Sequence, residues 1–169
     1  VAVTGVQTSA LPILRKAQEN AAASGGVFDI TTAARLVDWG YLPRPDATAP
    51  AAGASWRNIH LEAEGACASV RFDRPLWIDL GGIAKGYAVD AGLRAMALGP
   101  QVQAVINAGG DLRVAGPRAE AVRLRLPLPA DAIPVIEIAE GSLASSSGRE
   151  HVRPHGGGSV GPHVHGISG

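Results

Sequence analysis

The chain has 169 residues, 46% hydrophobic and 18% charged, which suits one domain with a buried core and excludes a mainly disordered protein. Fifteen Lys and Arg balance fifteen Asp and Glu, so the net charge gives no general attraction to DNA, RNA or an anionic membrane. The single cysteine, Cys67, excludes an internal disulfide and a cysteine-rich metal site. No segment reaches the roughly 20 apolar residues of a membrane-spanning helix, and no signal peptide is recognisable, so we expect a mature or trimmed piece of a longer protein.

The first third of the chain predicts two helices and a long loop. Apolar residues recur at helical spacing over residues 9–24, which indicates an amphipathic helix that Gly25 and Gly26 end. Thr31 or Thr32 can cap a second, short helix. Residues 43–54 contain three Pro and five Ala without periodicity, as is typical of a surface loop.

Short strands predominate in the rest of the chain. Alternating apolar residues over 58–62 and 66–72, separated by a Glu-Gly turn, predict a β-hairpin. Residues 77–80 predict a strand that leads through two glycines into a helix over 83–98. Four more strands are expected at 102–107, 112–115, 122–126 and 135–138, whereas the chain from residue 141 onward allows no assignment. The pattern predicts an α+β domain in which antiparallel pairing predominates.

The glycine pair between the strand at 77–80 and the next helix is a candidate anion site. Two glycines there leave backbone amides of the first helical turn free, and Lys85 adds a full positive charge to the helix dipole. A Walker loop needs Lys-Ser or Lys-Thr directly after its last glycine, whereas Gly86 is followed by Tyr87, and no GxGxxG is present, so both classical nucleotide motifs are excluded. A tight turn with a solvated lysine explains the segment equally well.

Other polar segments also allow a structural and a functional interpretation. Residues 107–111, NAGGD, suit a turn with positive φ in which the carboxylate accepts from backbone amides. Asp29 suits a helix cap, and the serines of 142–147 suit either a ligand site or a flexible loop. His163 and His165 have the spacing of transition-metal ligands, although a His-rich segment without nearby carboxylates binds metal weakly.

Taken in order, these segments resemble the ApbE family of flavin transferases, the FAD:protein FMN transferases. Residues 26–31, GVFDIT, are similar to the family's GxFDxT, and residues 38–41, DWGY, to the Leu-Trp-Gly-Phe piece that follows it. Residues 79–90, DLGGIAKGYAVD, match the central DLGGIAKGYAxD at every position. Residues 107–111 match NxGGD, and residues 142–147, SLASSS, resemble the late ATS[GS] segment.

The resemblance implies an α+β fold of two similar subdomains, with mainly antiparallel sheets and flanking helices in a T-fold-like arrangement. A cleft would hold FAD, with Mg2+ at its pyrophosphate. The whole chain, residues 1–169, would be one flavin transferase domain that is truncated at both ends relative to the family. The implied reaction cleaves FAD, attaches FMN through a phosphoester to a Thr or Ser of an acceptor flavoprotein, and releases AMP. Family analogy also favours a place outside the cytoplasm, in the periplasm or at the cell surface.

The resemblance also implies roles for individual residues. The implied FAD contacts are Val27, Phe28, Asp29, Asp79, Lys85, Asn107, Asp111, Ser145 and Val164. Gly82 would offer its backbone carbonyl to the metal, and Asp111 and His163 are the candidates for general base, between which no spacing argument chooses. The family's final helix, which supplies an Asp and a Thr to the metal, has no counterpart here. Two alternatives therefore stay open, a non-catalytic FAD-binding relative and an incomplete fold fragment without the metal site.

Overall fold

The computed structural model describes residues 2–4, 10–64, 67–124, 126, 128–129, 132–146 and 151–169. The chain forms two compact units, one from Val1–Ile83 with Ser147–Gly169 and the other from Ala84–Ser146. Each unit combines helix with antiparallel strands, which confirms the predicted α+β class. None of the helices in the described ranges is long and apolar enough to cross a membrane. Whether the two units act as one domain stays a prediction.

The first helix, α1 (Leu11–Ala23), confirms the helical spacing of the apolar residues. Pro12 lies in its first turn, where the missing N–H removes no intrahelical bond. Gly25 and Gly26 follow with φ of 64° and 92°, a conformation that ends the helix and that glycine adopts without strain. Ser9, at the predicted start, lies outside the described residues. The buried stripe of α1 consists of Leu11, Leu14, Ala17 and Ala21.

The second helix, α2 (Ala33–Asp38), follows a 3-10 turn at Ile30–Thr32. Asp29 caps this turn, because its Oδ1 accepts the backbone N–H of Thr31 at 2.8 Å. Thr32 is the N-cap residue of α2, as predicted, but its side chain makes no capping hydrogen bond, and the cap interpretation of Asp29 is confirmed for the 3-10 turn. The Thr32 hydroxyl instead donates to the Asp29 carbonyl at 3.0 Å.

A three-stranded antiparallel sheet completes the framework of the first unit. It is formed by β1 (Ala2–Thr4), β2 (Ile59–Glu64) and β3 (Cys67–Phe72), in the order β1-β3-β2. The β2–β3 pair confirms the predicted hairpin, although its turn at 65–66 lies outside the described residues. The core between this sheet and α1 contains Leu11, Leu14, Ala17, Ile30, Ile59, Val70 and Leu76.

Residues 77–80 are not a strand, contrary to the prediction. Within the described part of the chain they belong to no sheet ladder, and single hydrogen bonds fix them instead. The Asp79 amide donates to the Ile30 carbonyl at 2.8 Å, and the Trp77 indole donates to the Thr48 carbonyl at 3.0 Å. The apolar character of this segment reflects the burial of Trp77 and its neighbour Leu76. The predicted loop at 43–54 is confirmed, since it contains neither helix nor strand.

The second unit contains one helix and five strands in the described ranges. They are α3 (Ala84–Ala95), β4 (Ala104–Ala108), β5 (Asp111–Ala115), β6 (Glu120–Arg123), β7 (Val135–Ile138) and β8 (Gly141–Ala144). Strands β4, β5 and β8 form an antiparallel sheet in the order β4-β5-β8, and β6 pairs with β7. Helix α3 packs on β4 and β5, where Val89, Leu112 and Val114 are buried. The predicted helix and four strands are confirmed with shifted ends, although Arg125 lies outside the described residues.

The last part of the chain returns to the first unit as a hairpin of β9 (Arg153–His155) and β10 (Gly158–Val160). The connecting glycines have positive φ, as a two-residue hairpin turn requires. The hydroxyl of Tyr41, just after α2, lies within hydrogen-bond reach of the carbonyls of His151 and Val160. These contacts hold a hairpin that the sequence left unassigned.

Candidate functional site

The segment Val27, Phe28 and Asp29 is fixed by its aspartate. The Oδ1 of Asp29 accepts the N–H and the hydroxyl of Thr31, both at 2.8 Å, and its Oδ2 accepts the N–H of Trp56 at 3.2 Å. Asp29 is buried, and both of its oxygens have donors, so its carboxylate holds the backbone of this segment in place. Phe28 packs at the edge of the core, whereas Val27 is 43% exposed. Val27 is therefore the side chain of the three that is most accessible to a ligand.

The C-terminal segment lies directly on these residues. The Gly166 amide donates to the Val27 carbonyl at 2.8 Å. A Cβ at residue 166 would overlap the Gly26 carbonyl oxygen and would stand 2.8 Å from the Asp29 Cβ, so only glycine fits there. Two residues earlier Val164 is half-buried, and the neighbouring His163 is exposed. The structure thus brings the end of the chain to the predicted flavin-binding segment.

The turn at residues 79–82 also belongs to the first unit. The Oδ1 of Asp79 accepts the Gly81 amide at 2.9 Å, so this amide, which precedes α3, is already hydrogen-bonded. That the amides in the first turn of α3 bind an anion stays a prediction. A Cβ at Gly82 would stand 3.5 Å from Cε2 of Phe28, which places Gly82 close to the Phe28 ring.

A metal site at this turn would need further ligands. Mg2+ prefers near-octahedral oxygen coordination that includes one or two carboxylates. Among the residues that the structure describes, no three His, Cys, Asp or Glu side chains form a group that could hold a metal ion. Mg2+ commonly takes its other ligands from bound phosphates and water, so the role of the Gly82 carbonyl as a metal ligand stays a prediction.

Lys85 is the accessible cation of the second unit's candidate site. It lies in the first turn of α3, and its Nζ is 3.4 Å from Oδ1 of Asp111 and 3.5 Å from the carbonyl oxygen of Gly109. The Lys85 side chain is 51% exposed, compared with 20% for Asp111. Both contacts are long and therefore weak, so Lys85 can still bind an anion from solvent.

The turn beside Lys85 depends on glycine geometry. Gly109 and Gly110 have φ of 64° and 101°, and Oδ1 of Asn107 accepts the Gly110 amide at 3.0 Å. The Ser145 amide donates to the Gly110 carbonyl at 3.2 Å, and the Ser145 hydroxyl oxygen would be 2.7 Å from a Cβ at residue 110. The predicted positive φ is confirmed, but the side chain that accepts from the turn's amide is Asn107 and not Asp111.

The predicted site residues divide between the two units. The first unit contains Val27, Phe28, Asp29, Asp79, Gly82, His163 and Val164, and the second contains Lys85, Asn107, Asp111 and Ser145. The sequence model of the ApbE family matches residues 2–167. The chain belongs to the ApbE family. No curated protein matches the chain.

Solved structures of ApbE proteins share this fold. The ApbE protein from Thermotoga maritima matches with a TM-score of 0.75 and 24% identity, covering 96% of this chain and 56% of that chain. The flavinyl transferase ApbE from Pseudomonas stutzeri, in its apo form, has a TM-score of 0.60 and 22% identity, covering 82% and 46%. A mutant of the flavin transferase ApbE from Vibrio cholerae has a TM-score of 0.60 and 22% identity, covering 84% and 51%. The present chain spans about half the length of these ApbE structures.

Two residues that shape this part of the ApbE fold were not singled out from the sequence. Trp56 donates its backbone N–H to Asp29, and its indole nitrogen is 3.6 Å from where a Cβ at Gly26 would lie. That nitrogen is buried and has no hydrogen-bond partner in the described ranges. A lone aromatic residue after the Pro-rich and Ala-rich loop was its only signal. Gly166 lies in a His-rich segment without periodicity, so nothing in the sequence marked its close approach.

Proposed function

We propose that this chain acts as an FAD:protein FMN transferase, which moves FMN from FAD to a Thr or Ser hydroxyl of an acceptor flavoprotein and releases AMP. One observation carries the proposal: Lys85, Asn107, Asp111 and Ser145, from three separate motifs, surround a single glycine turn. Two of the similar structures are named as flavin or flavinyl transferases, which supports this class of reaction.

The proposed step is a phosphoryl transfer. The acceptor hydroxyl oxygen forms a bond to the FMN phosphorus, the bond from that phosphorus to the bridging oxygen breaks, and AMP leaves with this oxygen. The hydroxyl proton passes to a general base, for which Asp111 and His163 are the candidates. Negative charge on the phosphate oxygens must be stabilised, and a cation held in position does this best. Lys85 supplies such a cation in the second unit.

The first unit, taken by itself, has apolar and backbone groups that suit a flavin nucleotide. The exposed Val27 side chain and the neighbouring Phe28 ring offer an apolar surface that suits part of the flavin nucleotide. Asp29 keeps this segment in shape through its three hydrogen bonds. Mg2+ dependence is part of the proposal, with the Gly82 carbonyl as the candidate ligand.

The test measures AMP release from FAD with water in place of the unidentified acceptor hydroxyl, a reaction that yields FMN and AMP. The chain is incubated with FAD with and without Mg2+, and AMP and FMN are quantified by chromatography. Lys85→Met should lower the rate of AMP formation by about 10²-fold or more, as expected when a fixed charge-stabilising group is lost. Lys16→Met is the matched control, since Lys16 also forms an exposed ion pair, with Glu19 at 3.1 Å, outside the candidate site.

The outcomes separate the proposed function from its alternatives. AMP release that depends on Lys85 but not on Lys16 supports the transferase. FAD binding without AMP release in either metal condition, and without covalent flavin on any protein of an added cell extract, identifies a non-catalytic flavin-binding protein. A chain that neither binds nor cleaves FAD has no flavin function.

The proposed partner and cellular location rest on the family relation alone. The partner is a flavoprotein with an accessible Thr or Ser, and the location is outside the cytoplasm, in the periplasm or at the cell surface. In-gel flavin fluorescence after denaturation would reveal the covalently labelled acceptor. Recovery of the native protein in the cytoplasmic fraction would contradict the location.

A further inference from the structure

We propose that Asp111, together with the Gly109 carbonyl, positions the Lys85 ammonium for a phosphate anion, and that Asp111 is not the general base. The inference rests on the proposed function only for the class of ligand, a nucleotide with a pyrophosphate. Its physical basis is that Lys85 Nζ lies between two acceptors, Oδ1 of Asp111 at 3.4 Å and the Gly109 oxygen at 3.5 Å.

The two contacts direct the lysine without using all of its donors. An ammonium group has three N–H donors, and the two acceptors account for two of them. The side chain is 51% exposed, which leaves the third donor accessible to an anion. Although both contacts are long, they keep the ammonium group near this position, so the lysine loses somewhat less conformational freedom when the anion binds and the affinity for the anion should rise.

Asp111 and Gly109 are anchored more firmly than Lys85. Asp111 is the first residue of β5, and it pairs with Ala108 of β4 and Ala144 of β8. Oδ1 of Asn107 closes the turn that carries Gly109 by accepting the Gly110 amide. The paired strands therefore fix the two acceptors, and the flexible lysine adapts to them.

The direction of the Asp111 carboxylate bears on whether Asp111 positions Lys85 or takes the proton of the acceptor hydroxyl. Its Oδ1 faces Lys85, and its Oδ2 is 3.8 Å from where a Cβ at Gly86 would lie, so both oxygens face the first turn of α3. This geometry fits a residue that acts through Lys85. Geometry without a bound ligand does not by itself decide whether a carboxylate transfers a proton, so the pH dependence of AMP release decides between the two roles.

The experiment is a double-mutant cycle with ADP as the probe, measured by titration calorimetry on the full chain. Asp111→Ala should weaken ADP binding by about two- to tenfold, the range expected when one side chain must be ordered on binding. Asp111→Asn should stay within about twofold of the parent chain, because its amide oxygen still accepts from Lys85. In a Lys85→Met background, Asp111→Ala should have no further effect, since residues that act through one another are not additive.

A second measurement tests the general base directly. If Asp111 only positions Lys85, Asp111→Asn lowers the rate of AMP release from FAD by no more than it lowers ADP affinity, and the pH dependence of that rate stays as in the parent chain. Loss of AMP release with intact ADP binding in this variant identifies Asp111 as the base and overturns the inference.

Glu19→Ala is the control variant for ADP binding. It removes the partner of Lys16 and should leave ADP affinity unchanged. Thermal unfolding checks each variant, and Asp111→Ser replaces Asp111→Ala if the latter does not fold. The inference is overturned if Asp111→Ala and Asp111→Asn lose ADP affinity equally, or if Asp111→Ala still loses affinity in the Lys85→Met background. It is also overturned if Asp111→Ala binds ADP more tightly than the parent chain, or if the parent chain does not bind ADP. ADP binding with the expected coupling but without AMP release contradicts the proposed function alone.

Discussion

Asp73 lies in a small charged cluster on the sheet of the first unit. Its Oδ2 is 2.6 Å from Nε2 of His60, and its Oδ1 accepts from Arg71 at 2.6 Å. The hydrogen bond with His60, and then that with Arg71, hold the pKa of Asp73 below its ordinary value of 3.8. Because the folded chain binds this proton less readily than the unfolded chain, ionised Asp73 stabilises the fold above pH 3.8 and loses this contribution as pH falls through the lowered pKa.

We expect Asp73→Asn to weaken the dependence of stability on pH at the acid end. The variant should be slightly less stable than the parent at neutral pH, and the difference should vanish as pH falls below 3.8. The effect is small and sensitive to salt, since the cluster is exposed. Urea unfolding followed by tryptophan fluorescence measures it, with the exposed loop residue Asp46 changed to Asn as control. A constant difference between parent and variant from neutral to acid pH would contradict the assigned role.

Secondary structure elements differed in how well the sequence predicted them, and the reason is what each element buries. Helix α1 and the β2–β3 hairpin each bury one face, so their periodicity is visible in the sequence. Residues 77–80 are apolar because part of this segment is buried, and the sequence therefore resembled that of a strand. In the structure single hydrogen bonds, and not pairing with another described strand, hold these residues. Strands β8, β9 and β10 are only three or four residues long and show little apolar alternation. Strand β8 pairs with the distant β5, and the β9–β10 hairpin is contacted by the distant Tyr41.

The docking of the C-terminal segment gives a prediction at the same scale. Gly166→Ala would push a Cβ into the Gly26 carbonyl and within 3.0 Å of the Val27 carbonyl, and these are backbone atoms that cannot move aside easily. We expect destabilisation of about 1 to 3 kcal/mol, as for other overpacked sites. Hydrogen exchange at the Gly166 amide, which is bonded to Val27, should also become faster.

Gly158→Ala is the matched control for this change. It lies in the same unit, and its Cβ would be 3.8 Å from the His155 carbonyl, which is ordinary contact. If both alanine variants unfold at the same temperature, the close approach of Gly166 to residues 26–29 does not hold the segment in place.

At the scale of the whole molecule, the sequence predicted which residues lie close together better than it predicted the contacts that each of them makes. The ApbE motifs marked Lys85 and Asn107, and the structure brings both to one turn. The motifs did not show that Asn107 closes this turn, that Asp111 faces Lys85, or that Asp29 is saturated by local donors. Such roles depend on backbone geometry, which a list of residue types does not encode.

The two units provide separate probes of unfolding. Trp39, Trp56 and Trp77 all lie in the first unit, so tryptophan emission reports on that unit. Val114, which is 0% exposed in the β4-β5-β8 sheet, belongs to the core of the second unit. Val114→Ala should lower stability by about 2 kcal/mol, because it removes buried methyl groups and leaves a cavity.

We expect Val114→Ala to shift part of the urea transition seen by far-ultraviolet circular dichroism and to leave the midpoint of the tryptophan transition in place. The reason is that each unit has its own buried residues, so a cavity in one core weakens that core first. Val70→Ala is the converse control, since Val70 is 1% exposed in the first core and should move the tryptophan midpoint. If Val114→Ala shifts both probes equally, the chain unfolds as one cooperative domain, as the sequence predicted for residues 1–169.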